Sequence, residues 1–196
     1  MTQAPPQPLT DDDLRALADA NLAYRRQATR LAGLAAFTGW STIVLAVLAL
    51  PFGFVYPTAF IVGGALLGVG LRELQGRRKL LRLEPNAYSH LASNQWLLAG
   101  VIGAYCLWRI YLGLTGPNPL TEPNDDLPAE YTQLFEDLKE FEWLYPIVLG
   151  VYGTVLVVTL IYQAIMAAFY LSRRKHLAAY LAETPEWILD TQRKSP

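Results

Sequence analysis

Cysteine, histidine and charge are what this chain of 196 residues has least of: one Cys, two His, and a charged fraction of 17%. Cys106 alone excludes an intrachain disulfide and a cysteine-built metal cluster within one chain. Charge this scarce, against about 25% in an ordinary soluble domain, argues against a disordered chain. Sixteen Lys and Arg against seventeen Asp and Glu leave a formal net charge of −1. The basic excess of a nucleic-acid module is missing, so no nucleic-acid partner is expected. Motifs with a mechanism are missing too: no Gly-rich loop closing on Lys-Ser/Thr, no HExxH, no GxSxG. Ser41 has no histidine at similar depth to serve as its base. His90 and His176 stand isolated, and with Glu84 or Glu183 they make a poor metal set. Asp125 and Asp126 are adjacent, without the twelve-residue spacing of a calcium loop. No catalytic residue, cofactor or metal is assigned on these grounds.

What the chain has in plenty is apolar: 53% of its residues are hydrophobic. Four runs approach or exceed the roughly 20 residues needed to cross a bilayer, at about 31–50, 54–71, 96–114 and 143–171. The first two carry no charge, the third carries only Arg109, and the fourth carries one strongly polar residue, Gln163. Four such runs buried in a soluble protein of this size would leave too little polar chain to cover them. The fold expected is all-α: a polytopic integral membrane protein built as a four-transmembrane-helix bundle. The polar, acid-bearing residues 1–30 do not begin as a cleaved signal does, with a short basic stretch followed by an apolar core. The first run is therefore read as a retained anchor.

Charge orients the spans. Residues 1–30, the connection 72–95 and the tail 172–196 hold fourteen of the sixteen basic residues. The exceptions are Arg109 and Lys139. Between the third and fourth runs, residues 116–142 carry eight acids and one Lys. Basic flanks stay on the cytoplasmic side, which places both termini and 72–95 in the cytoplasm and 115–142 outside. A bacterial plasma membrane is the expected location.

The polar segments have their own patterns. Residues 1–9 are Pro-rich and read as disordered. Thr10 followed by Asp11, Asp12 and Asp13 reads as a capped helix start with acids at the positive end of the dipole, opening a helix over 10–30. Leu83-Glu84-Pro85-Asn86 reads as a break, followed by a short helix carrying Tyr88, His90 and Leu91. From Pro128 the spacing sets Tyr131, Leu134, Phe135, Leu138 and Phe141 on one face of an acidic amphipathic extracytoplasmic helix, a candidate docking face for a membrane or extracytoplasmic protein partner. Beyond the fourth run a cytoplasmic helical extension is expected through Glu183. Thr184-Pro185-Glu186 then starts a last segment bearing Trp187.

Arg109 is the one charged residue within a span, a position that suggests function. It lies about 20 Å along its helix from Trp96, which leaves about 10 Å to the outer boundary of a ~30 Å core. It can snorkel to pair with an outer carboxylate such as Glu130 or Glu142. It can also contact an anion or headgroup, lined by Tyr105 and Tyr152. Small residues supply the packing signal: Gly63, Gly64 and Gly68 in the second span, with Gly64 and Gly68 four apart, and Gly100 with Ala104 in the third. Internal packing accounts for them, and a homo-oligomer is compatible with them. The function expected is a non-enzymatic interaction, assembly or accessory subunit whose setting is the lipid bilayer. The alternatives are a small oligomeric transporter or channel using Arg109 and the Gly-rich second span and, less favoured, an enzyme acting on lipid.

Overall fold

The helix that follows Thr10 is α1 (Asp11–Ala20) of a computed structural model that describes residues 10–20, 24–54, 56–116 and 143–194. After it come α2 (Arg26–Ala49), a 3₁₀ turn (Leu50–Phe54), α3 (Pro57–Leu81), α4 (Ala87–Thr115), α5 (Leu144–Glu183) and α6 (Glu186–Lys194). Every element among the described residues is helical. Four helices are long and apolar enough to cross a membrane: α2 with its 3₁₀ turn, α3, α4 and α5. The acidic helix expected from Pro128, with its face of Tyr131, Leu134, Phe135, Leu138 and Phe141, lies outside the described residues, as do residues 1–9.

The chain divides into two compact units, one formed by residues up to Asn94 together with Ala167 onward, the other by Gln95–Met166. In the first unit, α2 buries Ala28, Ala32, Ala35, Gly39, Thr42 and Ala46, spaced alternately four and three apart. This is a seam of small residues. The same helix leaves Phe37, Trp40, Val44, Leu45 and Leu48 exposed. Large apolar groups outside and small ones inside would be an unstable arrangement in water. In lipid it is the expected one, because tails solvate the large groups while small residues let backbones approach.

The approach is closest where Gly39 of α2 meets Gly70 of α3. A Cβ built on Gly70 would stand 2.9 Å from the Gly39 carbonyl oxygen and 2.6 Å from Ile43. Gly63 also packs, its Cβ position 3.1 Å from Leu50 and 3.3 Å from the Ala46 carbonyl. Gly64 and Gly68 do not: a Cβ on either would meet no atom within 4 Å. The four-residue pair named from the sequence therefore faces away from the seam. The contact belongs to Gly63 and Gly70, seven residues or about two helical turns apart and so on one face of α3.

At its start α3 places Pro57 in the first turn, where a missing N–H costs nothing, behind an extended Tyr56. Its end is a full C-cap. Leu83 takes a left-handed φ of 55°, its N–H donates to the Leu80 carbonyl at 3.1 Å, and the Glu84 N–H donates to that of Lys79 at 3.0 Å. That pair of bonds is the Schellman pattern, usually centred on glycine. Leucine is held there by burial of its side chain. Pro85 then prevents continuation, and α4 opens at Ala87. The short helix expected around Tyr88 and His90 is the first part of α4 itself.

Three tyrosines join separate helices of this unit. The Tyr24 hydroxyl donates to that of Tyr88 at 3.1 Å, and the Tyr24 ring stacks on Tyr180 of α5 with centroids 4.6 Å apart. Tyr180 in turn donates to Gln192 Oε1 of α6 at 2.8 Å, and Ile188 and Leu189 are buried while Trp187 stays at the surface. Burial, then the hydrogen bond to Tyr88, push the Tyr24 phenol well above its ordinary 10.0. Fold and unfolded chain both keep this proton below pH 10. Above it the unfolded chain releases a proton that the fold retains, so stability falls as pH rises. Tyr24→Phe is expected to cost about 1 kcal/mol near neutrality, the worth of one hydrogen bond. The variant should also lose less stability than the native chain between neutral and strongly alkaline pH. Unfolding of the full chain in detergent, followed at several pH values, checks both.

Candidate functional site

The second unit pairs the remainder of α4 with the first part of α5. Near the end of α4, Gly113 permits the pairing: a Cβ there would overlap Leu149 of α5. The Tyr145 hydroxyl fixes the same place by donating to the Gly113 carbonyl at 3.0 Å. One turn earlier on α4 stands Arg109. Its guanidinium carbon lies 5.6 Å from the centre of the Tyr152 ring, and Tyr105 meets that ring edge-on at 6.0 Å. A cation over an aromatic face gains about 0.5–1 kcal/mol when exposed and more when water is removed.

Arg109 opens onto a cavity of about 280 Å³ between Tyr145 and Tyr152, with Leu112, Val148 and Leu149 supplying apolar walls. Neither the Arg15–Asp12 nor the Arg193–Asp190 ion pair involves Arg109, and the described groups acting on it are Tyr152, Tyr105 and Tyr145, none of them a carboxylate. Glu130 and Glu142, the partners suggested from the sequence, lie outside the described residues. Trp108 and Tyr111, flanking Arg109, are exposed, as suits an interfacial belt. Of the small residues named in the third span, Gly100 would carry a Cβ into open space, and Ala104 is exposed. Gln163 is buried, with its Oε1 lacking a hydrogen-bond partner among the described residues.

A second polar cluster, in the first unit, was not singled out from the sequence. Glu73 of α3 is only 2% exposed. The Asn94 side-chain amide donates both to Glu73 Oε2 at 2.5 Å and to the Val69 carbonyl at 3.1 Å. Beside it, His90 Nε2 lies 3.2 Å from the Arg72 carbonyl and its Nδ1 lies 3.5 Å from Lys79 Nζ. A carbonyl can only accept and an ammonium can only donate, so the ring is the neutral Nε2–H tautomer. Arg72 also donates to the Ser93 hydroxyl at 3.1 Å. These groups bind α3 to the start of α4. A signal for Glu73 was present: Val69, Glu73, Gly76 and Leu80 repeat at four, three and four, and all four are buried.

Among the described residues, no group of three or more His, Cys, Asp or Glu could hold a metal ion. No family model matches the chain, and no curated protein or solved structure proved similar to it. Fold and composition together define the class, an all-helical protein with four membrane-length helices.

Proposed function

We propose that this is a non-enzymatic membrane protein that acts through interaction, as an assembly factor, accessory subunit or membrane-organising element. The observation that carries this reading is how its buried polar groups are used. Glu73, Asn94 and the Tyr24–Tyr88 pair, all buried, bond one helix to another, and the half-buried Arg72 and His90 add to them, which suits a rigid scaffold. Both termini and the α3–α4 turn are assigned to the cytoplasm, and the acidic segment 117–142 to the other side. The support is the placement of fourteen of sixteen basic residues and the rule that such flanks stay inside. The partner is a membrane or extracytoplasmic protein engaging that acidic segment.

Affinity purification in mild detergent tests this by comparing the intact chain with one in which residues 117–142 are replaced by a short Gly/Ser linker. Specific partners should be lost with the segment; an unchanged set of partners would end the docking role. Reporter fusions near Asp126 and Arg78 check the topology, and the two should report opposite sides. A small transporter or channel is the second reading, favoured by one observation, that Arg109 lines a cavity.

A further inference from the structure

We infer that the Arg109 cavity is a binding site for the phosphate of an anionic phospholipid, whose acyl chains lie on the apolar surface beside it. The requirement for an anion comes from Arg109. It stands about one and a half turns from the end of α4, where a span meets the headgroup layer, with no carboxylate among the described groups acting on it. A guanidinium is weakly hydrated and shaped to grip a phosphate with two parallel donors. Tyr152, itself packed edge-on by Tyr105, holds it by a ring contact and one side-chain hydrogen bond, and a guanidinium has five N–H donors to share between that bond and an anion.

The choice of a lipid over a free anion comes from the walls. Leu112, Val148 and Leu149 offer nothing to hydrate a bare phosphate, and the Tyr145 hydroxyl proton is already given to Gly113. A cavity of about 280 Å³ is at the low end for small-molecule sites, which run from about 300 to 1,000 Å³. It takes a headgroup and excludes the tails. Tails have a path at hand, because Val148, Val151 and Val155 are exposed on α5. The proposal goes beyond the interaction reading and is read out separately from it.

The test uses the purified full chain and counts tightly retained lipid by native mass spectrometry, after exchange against phosphatidylglycerol or phosphatidylcholine. The native chain should keep one phosphatidylglycerol in preference to phosphatidylcholine. Arg109→Gln should weaken that lipid about tenfold or more, as expected for a lost charge-assisted hydrogen bond, and Arg109→Lys should weaken it less. Val148→Trp, which fills the cavity while leaving the arginine, should expel the same lipid, so the proposal remains testable if Arg109→Gln fails to fold. Arg78→Gln, in the basic turn after α3, should leave it in place. Retention unchanged in both Arg109→Gln and Val148→Trp overturns the site, as does equal loss in Arg78→Gln. Displacement by inorganic phosphate at millimolar concentration would make the ligand a free anion and overturn the lipid assignment.

Discussion

Gly70→Ala should loosen the α2–α3 pair, while Gly68→Ala, two residues away on the same helix, should leave it intact or slightly firmer. One methyl group is added in each case. At Gly70 it arrives 2.6 Å from Ile43 and 2.9 Å from the backbone oxygen of Gly39. A side chain can turn aside, but a carbonyl can move only with its helix. Overpacking of this kind costs about 1–3 kcal/mol, and backbone opposition puts Gly70 at the upper end. At Gly68 the methyl enters open space, and exchanging a helical glycine for alanine gains about 0.5–1 kcal/mol. The two variants should therefore move in opposite directions in an unfolding titration with denaturing detergent. Gly39→Ala should fall between them, since its Cβ meets Leu74 at 3.0 Å and the Gly70 carbonyl at 3.2 Å. A Gly70→Ala chain as stable as the native one would mean that the seam is not a close backbone contact.

The glycines also show how much could be read without coordinates. That four helices are long and apolar enough to cross a membrane was legible, because that depends only on the length and apolarity of a run. The stop after α3 was legible as well, since Pro85 cannot continue a helix, but the left-handed cap at Leu83 was not. Which face of a span is inside was not. In lipid an apolar face no longer marks the core, as large apolar residues are outside and the interior holds alanine, glycine, threonine and single polar groups. The pair Gly64 and Gly68 stood out by spacing alone. The longer seam of α2, from Ala28 to Ala46, was hidden by the commonness of alanine. Glu73 went unnoticed for a related reason: the second apolar run ends at Leu71, and a carboxylate beyond it reads as the polar end of a helix. The helix continues to Leu81, so Glu73 falls on the buried stripe. Arg109 was legible as an exception within its span, with Tyr105 and Tyr152 beside it, whereas Gly113 and Tyr145, on which its cavity also depends, were not.

Asn94→Leu should be among the most damaging single changes in the first unit, and Glu73→Gln among the mildest at a buried ionisable site. Asn94 sends one amide to both Glu73 Oε2 and the Val69 carbonyl. A leucine of similar size removes that donor and leaves a buried carboxyl facing an apolar group. Losing one hydrogen bond to a buried carboxyl costs about 1.5–3 kcal/mol. About 3 kcal/mol is expected for Asn94→Leu. Glu73→Gln retains an oxygen that can accept from Asn94, so it should cost less than about 1 kcal/mol. The decisive variant joins Glu73→Leu to Asn94→Leu. If the two side chains act as a pair, the double change should be less harmful than the sum of its parts by about 1–3 kcal/mol, the range for groups in one hydrogen-bond network. Strict additivity would show that each residue is held by something other than its partner. The bond joins α3 to α4 about three helical turns in from the Leu83 turn, where one apolar helix face could otherwise slide along another at little cost. An apolar pair could match the native stability yet permit that slip. Spin labels on the outward positions Leu71 and Trp96 should then show a broader distance distribution in the double variant than in the native chain.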